Sequence, residues 1–267
     1  MYLWKYWREA KNIFLGYLGL IAFAAIWITV RPPVRENFGP GGPLVAFLLL
    51  LVSLILLILV AWYMGSLGIG RSLGEGAGSF LLTRPRTRAS FVWKDWGFGL
   101  LLLTITVIAT TLWSGYWLHQ IIAASGSGPH GSMQFNHGPA ALIAIPKVLS
   151  LNCISLLLIC GLIFSIVYLS TILVKNAMGN MLGAAILIGY IILGAVLKHE
   201  WSIKLPSLLL NPYQMVQDSM NSSYVVIHGD MNTIAIADHF WISVAVRAAL
   251  LLLFPIGAQL VLNKSEI

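Results

Sequence analysis

Uncharged apolar runs dominate this chain, and six of them are long enough to cross a bilayer. They are Ile13–Val30, Leu44–Met64, Gly97–Leu118, Val148–Val174, Met178–Leu197 and Phe240–Leu262. A helix needs about 20 apolar residues to traverse the hydrocarbon core. That core offers no water to free N–H and C=O groups, so each run is expected as a helix. The alternating ten-residue pattern of a membrane β-barrel does not stand out. The expected fold is all-α, an integral membrane bundle of six transmembrane helices forming one domain over residues 1–267. The fourth run is long and has Pro146 near its start, so it is expected to tilt or to begin at an interface.

Composition agrees. The chain is 58% hydrophobic and only 9% charged, with a mean hydropathy of +0.86, whereas soluble domains carry about 25% charged residues. The net charge of +7 would suit nucleic acid only on a basic, solvated face. Here the cations stand at the ends of apolar runs, where membrane topology accounts for them, and no nucleic-acid partner is expected. The two cysteines, Cys153 and Cys160, lie about two helical turns or 10 Å apart in one apolar run. That separation exceeds disulfide reach, and they read as small apolar residues of a buried helix.

The cations also orient the chain. With the N-terminus inside, ten of the sixteen are internal: Lys5, Arg8, Lys11, Arg71, Arg84, Arg86, Arg88, Lys94, Lys175 and Lys264. The other six, Arg31, Arg35, Lys147, Lys198, Lys204 and Arg247, are external. An excess of Lys and Arg marks the cytoplasmic side, so both termini are expected in the cytoplasm. The expected location is a bacterial cytoplasmic (inner) membrane, with multiple passes.

In the opening stretch, MYLWKYWREAKNIF, Trp4, Tyr6 and Trp7 are interleaved with Lys5, Arg8 and Lys11. Aromatic rings favour the headgroup layer and cations an anionic leaflet. Residues 2–12 are therefore expected either as a short interfacial helix lying on the inner surface or as ordinary flanking anchors of the first span. A cleaved leader is the competing reading of these cations, with Ala22-Phe23-Ala24 as its small-residue site. The run continues to Val30 and is long enough to span, which favours retention.

The outer segments are Arg31–Pro43, a Gly-, Ser- and Pro-rich stretch from about His119 to Lys147, and the long segment 198–239. No phosphate loop, zinc-protease signature or nucleophile elbow is present, so no catalytic residue is assigned. All six histidines (His119, His130, His137, His199, His228 and His239) fall in outer segments or at their edges. Their spacing matches no ligand motif, and no metal site is assigned. A membrane assembly or copper-handling factor using these histidines remains the alternative to a transporter. Arg247 lies several residues inside the sixth span. Its charge either snorkels to the interface or makes it a candidate contact for an anionic lipid or substrate group.

One inner loop, residues 65–96, departs from the rest: GSLGIGRSLGEGAGSFLLTRPRTRASFVWKDW. Glu75 is followed by small residues, Leu81-Leu82, Pro85, Thr87-Arg88 and then Lys94 before the next span. Topology-setting cations and belt aromatics account for Arg84, Arg86, Arg88, Trp93 and Trp96. They do not account for Glu75 or for the Leu-Leu-x-x-Pro order.

That order resembles the loop between the second and third spans of type-2 ABC exporter permeases. There an acid, a small residue, Leu-Leu, x-x-Pro-x-Ser/Thr-Arg and a downstream Lys recur. The opening LWKYWREAKNIFL is similar to the N-terminal interfacial helix of the same family, and the six-span layout extends the resemblance over the whole chain. The Gly-rich stretch before Glu75 and the arginines flanking Pro85 depart from the family pattern.

The resemblance implies a permease subunit without ATPase activity of its own. ATP and magnesium would be bound by separate ABC ATPase subunits, and a second permease copy or paralogue would complete the complex. It further implies that Glu75, Leu81, Leu82, Arg84, Pro85 and Arg88 form the contact with the ATPase. Trp4, Trp7, Trp93 and Trp96 are expected as interfacial anchors against membrane lipids.

Overall fold

The computed structural model describes residues 2–30, 42–74, 88–125, 139–174, 178–200 and 239–264. These form α1 (Tyr2–Val30), α2 (Gly42–Ser66), the short α3 (Ile69–Gly74), α4 (Arg88–Ser125), α5 (Pro139–Val174), α6 (Met178–Glu200) and α7 (His239–Lys264). No strand occurs among the described residues.

Among the described residues four stretches combine the length and apolarity of a membrane crossing: Leu3–Ile26, Ala89–Tyr116, Leu149–Val174 and Val244–Lys264. Val52–Ser66 and Met178–Gly189 are shorter apolar helices by the same measure. Large apolar side chains face outward, among them Phe23, Leu112 and Met181, the last 74% exposed. Water would not tolerate that surface over so much of a bundle, whereas hydrocarbon does. The chain is a multi-pass membrane protein.

Several helices outrun the apolar segments that foretell them. Segments 2–12 and 13–30 form one unbroken helix, α1, with no turn where the interfacial segment was expected to end. α4 begins at Arg88, nine residues before the apolar run, and reaches Ser125. At about 1.5 Å per residue its 38 residues extend roughly 57 Å, well beyond a hydrocarbon core of about 30 Å. Hydropathy marks only the part that suits lipid, while the backbone continues its hydrogen bonds into the polar zone. The inner loop is correspondingly shorter than 65–96. Its first residues end α2 and build α3, and its last nine belong to α4. Pro255 lies inside α7.

α5 is the hub. It packs against α2, α3, α4, α6 and α7, while α1 leans on α4 and α2. Two-thirds of its apolar window is buried, against 17% for α1 and α7. Close approach depends on glycine. A Cβ at Gly65 would lie 2.5 Å from the Phe164 carbonyl oxygen, and one at Gly179 would lie 2.6 Å from the Thr171 Cα. Small residues let helix backbones meet where lipid supplies no hydrophobic drive to associate. The core they enclose centres on Tyr6, Met64, Leu103, Val107, Phe164, Tyr168 and Ile172.

Cross-helix hydrogen bonds show which ends lie together. Tyr6 Oη donates to Met64 O at 2.9 Å, and Trp96 Nε1 to Ser165 Oγ at 2.9 Å. Trp93 Nε1 donates to Gln259 Oε1 at 3.2 Å. The starts of α1, α4 and α6 therefore share one end of the bundle with the ends of α2, α5 and α7. The start of α1 and the end of α7 belong to that end. Halfway up, Tyr17 Oη and Thr110 Oγ1 bond at 2.7 Å, and Thr110 Oγ1 in turn donates to Thr106 O at 2.8 Å. Thr111 and Ser114 likewise donate to carbonyls one turn back, so these hydroxyls of α4 are satisfied without water.

Candidate functional site

At the end that carries the start of α1 and the end of α7, Lys5, Glu9, Asp95 and Tyr168 gather around α3. α2 stops at Ser66, and Leu67 and Gly68 turn the chain into α3. Gly68 has φ +102°, a left-handed conformation open to glycine and strained for other residues. As the residue before α3, Gly68 has no side chain to cap the first free amides of the helix. The cap comes from far away in sequence: Ile69 N donates to Asp95 Oδ2 of α4 at 3.0 Å. A Cβ at Gly68 would collide with that same carboxylate oxygen. Glycine is thus required twice over, by the backbone angle and by the carboxylate.

Asp95 is fully buried, and its Oδ1 has no hydrogen-bond partner among the described residues. Tyr168 of α5 reaches the carboxylate with its hydroxyl, which also lies 3.5 Å from Val92 O. Lys5 and Glu9 of α1 stand within electrostatic range of Asp95. Lys5 Nζ donates to Ser72 Oγ of α3 at 2.8 Å and approaches Glu9 Oε1 at 3.7 Å. Against α5 the fit is backbone to backbone, since a Cβ at Gly70 would lie 2.5 Å from Thr171 C and 2.7 Å from Ile172 N. Leu67 and Ile69 are buried beneath.

α3 is therefore a wedge seated among α1, α4 and α5. Burying an ionised carboxylate is costly unless it is bonded and compensated. A bond from an amide to a charged acceptor contributes about 1.5–3 kcal/mol. The seat holds a helix too short to be stable by itself.

The residues expected to contact an ATPase stand next to this seat in sequence. Glu75, Leu81, Leu82, Arg84 and Pro85 lie outside the described residues, and Arg88 is the first residue of α4. Of the expected anchors, Trp4 is 65% exposed. Trp7 is half-buried, edge-on to Phe14 at 5.9 Å. Trp93 is on the surface and packs edge-on to Trp96 at 5.8 Å. Trp96 itself is buried and bonded to Ser165, so it ties α4 to α5. Arg247 is 1% exposed. Val244 and Ala248, on the same side of α7, pack on Leu158 and Ile159 of α5. The Arg247 side chain thus lies within the protein.

His119, His199 and His239 belong to the far ends of α4, α6 and α7, while His130, His137 and His228 lie outside the described residues. Among the described residues no group of three or more His, Cys, Asp or Glu is placed to hold a metal ion. Both cysteines are free. Tyr6, Glu9, Gly68, Gly70, Asp95 and Tyr168 are the components that sequence reading missed. The one available signal was Asp95, a lone acid set between two tryptophans at the mouth of an apolar run.

No family model, no curated protein and no solved structure matches the chain.

Proposed function

We propose that this chain is the transmembrane permease subunit of an ATP-binding-cassette exporter. In this reading two permeases, identical or paralogous, work with two separate ATPase chains that bind ATP and magnesium. Six helices cross a bacterial inner membrane, both termini lie in the cytoplasm, and the substrate path runs through the paired bundles. The observation that carries the reading is the ordered loop motif, Glu75 through Leu81-Leu82, Pro85 and Arg88. Its support is positional. In sequence the motif follows directly on the seated α3 and leads directly into α4, at the bundle end where α1 starts and α7 ends. A chain without a phosphate loop must receive work through such a surface, where apolar residues enter a groove and charges set register.

The test is recovery of partners from mild detergent with the tagged chain, combined with cysteine labelling. An ATPase is expected to copurify in equal amount. Cysteines placed at Ser79 and Ser127 are expected to label from opposite sides, Ser127 from outside. Absence of any ATPase, or labelling of both sites from one side, overturns the proposal.

A metal-handling factor is the second reading, favoured by the confinement of all six histidines to outer segments and their edges. Simultaneous replacement of His119, His130 and His137 by Ala is expected to leave transport and bound-metal content unchanged. Loss of activity that added copper restores would favour that second reading instead.

A further inference from the structure

The seat of α3 combines the buried apolar contacts of Leu67 and Ile69 with two polar bonds that can be exchanged. Ile69 N bonds Asp95 Oδ2 at 3.0 Å, and Lys5 Nζ bonds Ser72 Oγ at 2.8 Å. If α3 moved out, both bonds would break together. Asp95 would lose its amide donor and Lys5 its hydroxyl acceptor. In its ionised form Asp95 is opposite in sign to Lys5, and the two groups already lie within electrostatic range. Asp95 also has an unbonded oxygen, Oδ1, to offer.

We propose that α3 has two positions: a docked one latched by Asp95, and a released one in which Lys5 transfers from Ser72 and Glu9 to the Asp95 carboxylate. This inference stands on the seat alone and does not depend on the transport reading.

The released state is accessible because buried Asp95 keeps a compensating charge, the lack of which is the usual barrier to opening such a site, while Glu9, which gives up Lys5, is partly exposed. Bistable packing with discrete alternatives is the general form of protein switches. The hinge is present in the two-residue link Leu67–Gly68, whose glycine takes a backbone angle that other residues adopt only with strain. The helix that moves is only six residues long and depends on its seat for stability. Burial of Leu67 and Ile69 biases the equilibrium towards docking. Because residues 75–87 continue from Gly74, the position of α3 sets where that loop starts.

Backbone amide exchange on the full-length chain in lipid nanodiscs tests the switch. In the wild type, residues 67–74 are expected to exchange faster than residues 97–116, because α3 opens while the bundle stays folded. Asp95→Ala removes the latch and is expected to accelerate exchange at 67–74 at least tenfold, with 97–116 unchanged. Asp95→Asn keeps an oxygen for Ile69 N but cannot pair with the Lys5 charge, and is expected to exchange no faster than wild type.

Lys5→Met is the decisive variant. It removes the docked bond to Ser72 yet also strands Asp95 in the released state, so exchange at 67–74 is expected to slow. A purely structural role predicts the opposite. Two results overturn the proposal: Lys5→Met opening α3 faster than wild type, or segments 67–74 and 97–116 exchanging in step in every variant. Should Asp95→Ala fail to fold, Lys5→Met and Asp95→Asn still decide.

Discussion

Gly70→Val is expected to melt the protein well below wild type, while Gly16→Val leaves the transition where it was. Both glycines are helical, yet their surroundings differ. A Cβ at Gly70 meets Thr171 C at 2.5 Å and both Thr171 O and Ile172 N at 2.7 Å. These are backbone atoms of the central helix and cannot rotate aside. At Gly16 nothing lies within 4 Å. Overfilling a packed site costs about 1–3 kcal/mol when side chains can adjust. Here α3 or α5 must shift bodily, so the upper end applies. A loss of about 3 kcal/mol lowers Tm by roughly 6–12 °C in a chain of this size. Thermal unfolding of both variants in the same detergent measures it. Equal transitions for the two variants would show that the α3–α5 approach is not tight.

Glu75→Lys and Leu81→Asp are expected to abolish substrate-stimulated ATP hydrolysis in proteoliposomes that also contain the copurifying ATPase. This follows from the proposed contact. Leu81→Asp places a carboxylate where an apolar side chain enters a groove, at a cost of several kcal/mol. Each 1.4 kcal/mol is about tenfold in affinity, so recovery of the ATPase on the tagged chain should fall on the order of a hundredfold or more. Glu75→Lys removes a pairing partner or sets like charges together, which changes register and encounter more than folding. Insertion should survive, because Arg84, Arg86, Arg88 and Lys94 still supply the cations that favour a cytoplasmic side for the loop in the proposed topology. If both variants insert, retain the ATPase and couple as wild type does, the loop is a topology signal and nothing more.

Legibility in the sequence follows from the range of each force. Insertion into a bilayer depends on local apolarity and on the demand that a segment satisfy its own backbone, so the runs at Leu149–Val174 and Val244–Lys264 announce helices by composition alone. The ends of those helices were less legible. Arg88, Lys94 and Asp95 end an apolar run but do not end a helix, because helical hydrogen bonding continues into the polar zone where hydropathy is silent. The same blindness hid which way Trp96 faces. A tryptophan beside charges fits a headgroup layer, and only the rotation of α4 against α5 turns its indole inward to Ser165.

By itself the sequence determined an all-helical membrane chain, the approximate centres of its spans and a cationic end, because these are properties of contiguous residues. Tertiary structure alone decided the seat of α3. The partners of that seat are 26 positions apart at Ile69 and Asp95 and 67 apart at Lys5 and Ser72. No local pattern joins them. They meet because glycines at 65, 70 and 179 let α2, α3 and α6 close on α5, and the depth of that closure brings Asp95 under the first amide of α3. Whether a lone acid at the mouth of a span faces headgroups or a buried helix end depends on helix rotation, which is set by packing against every neighbour at once.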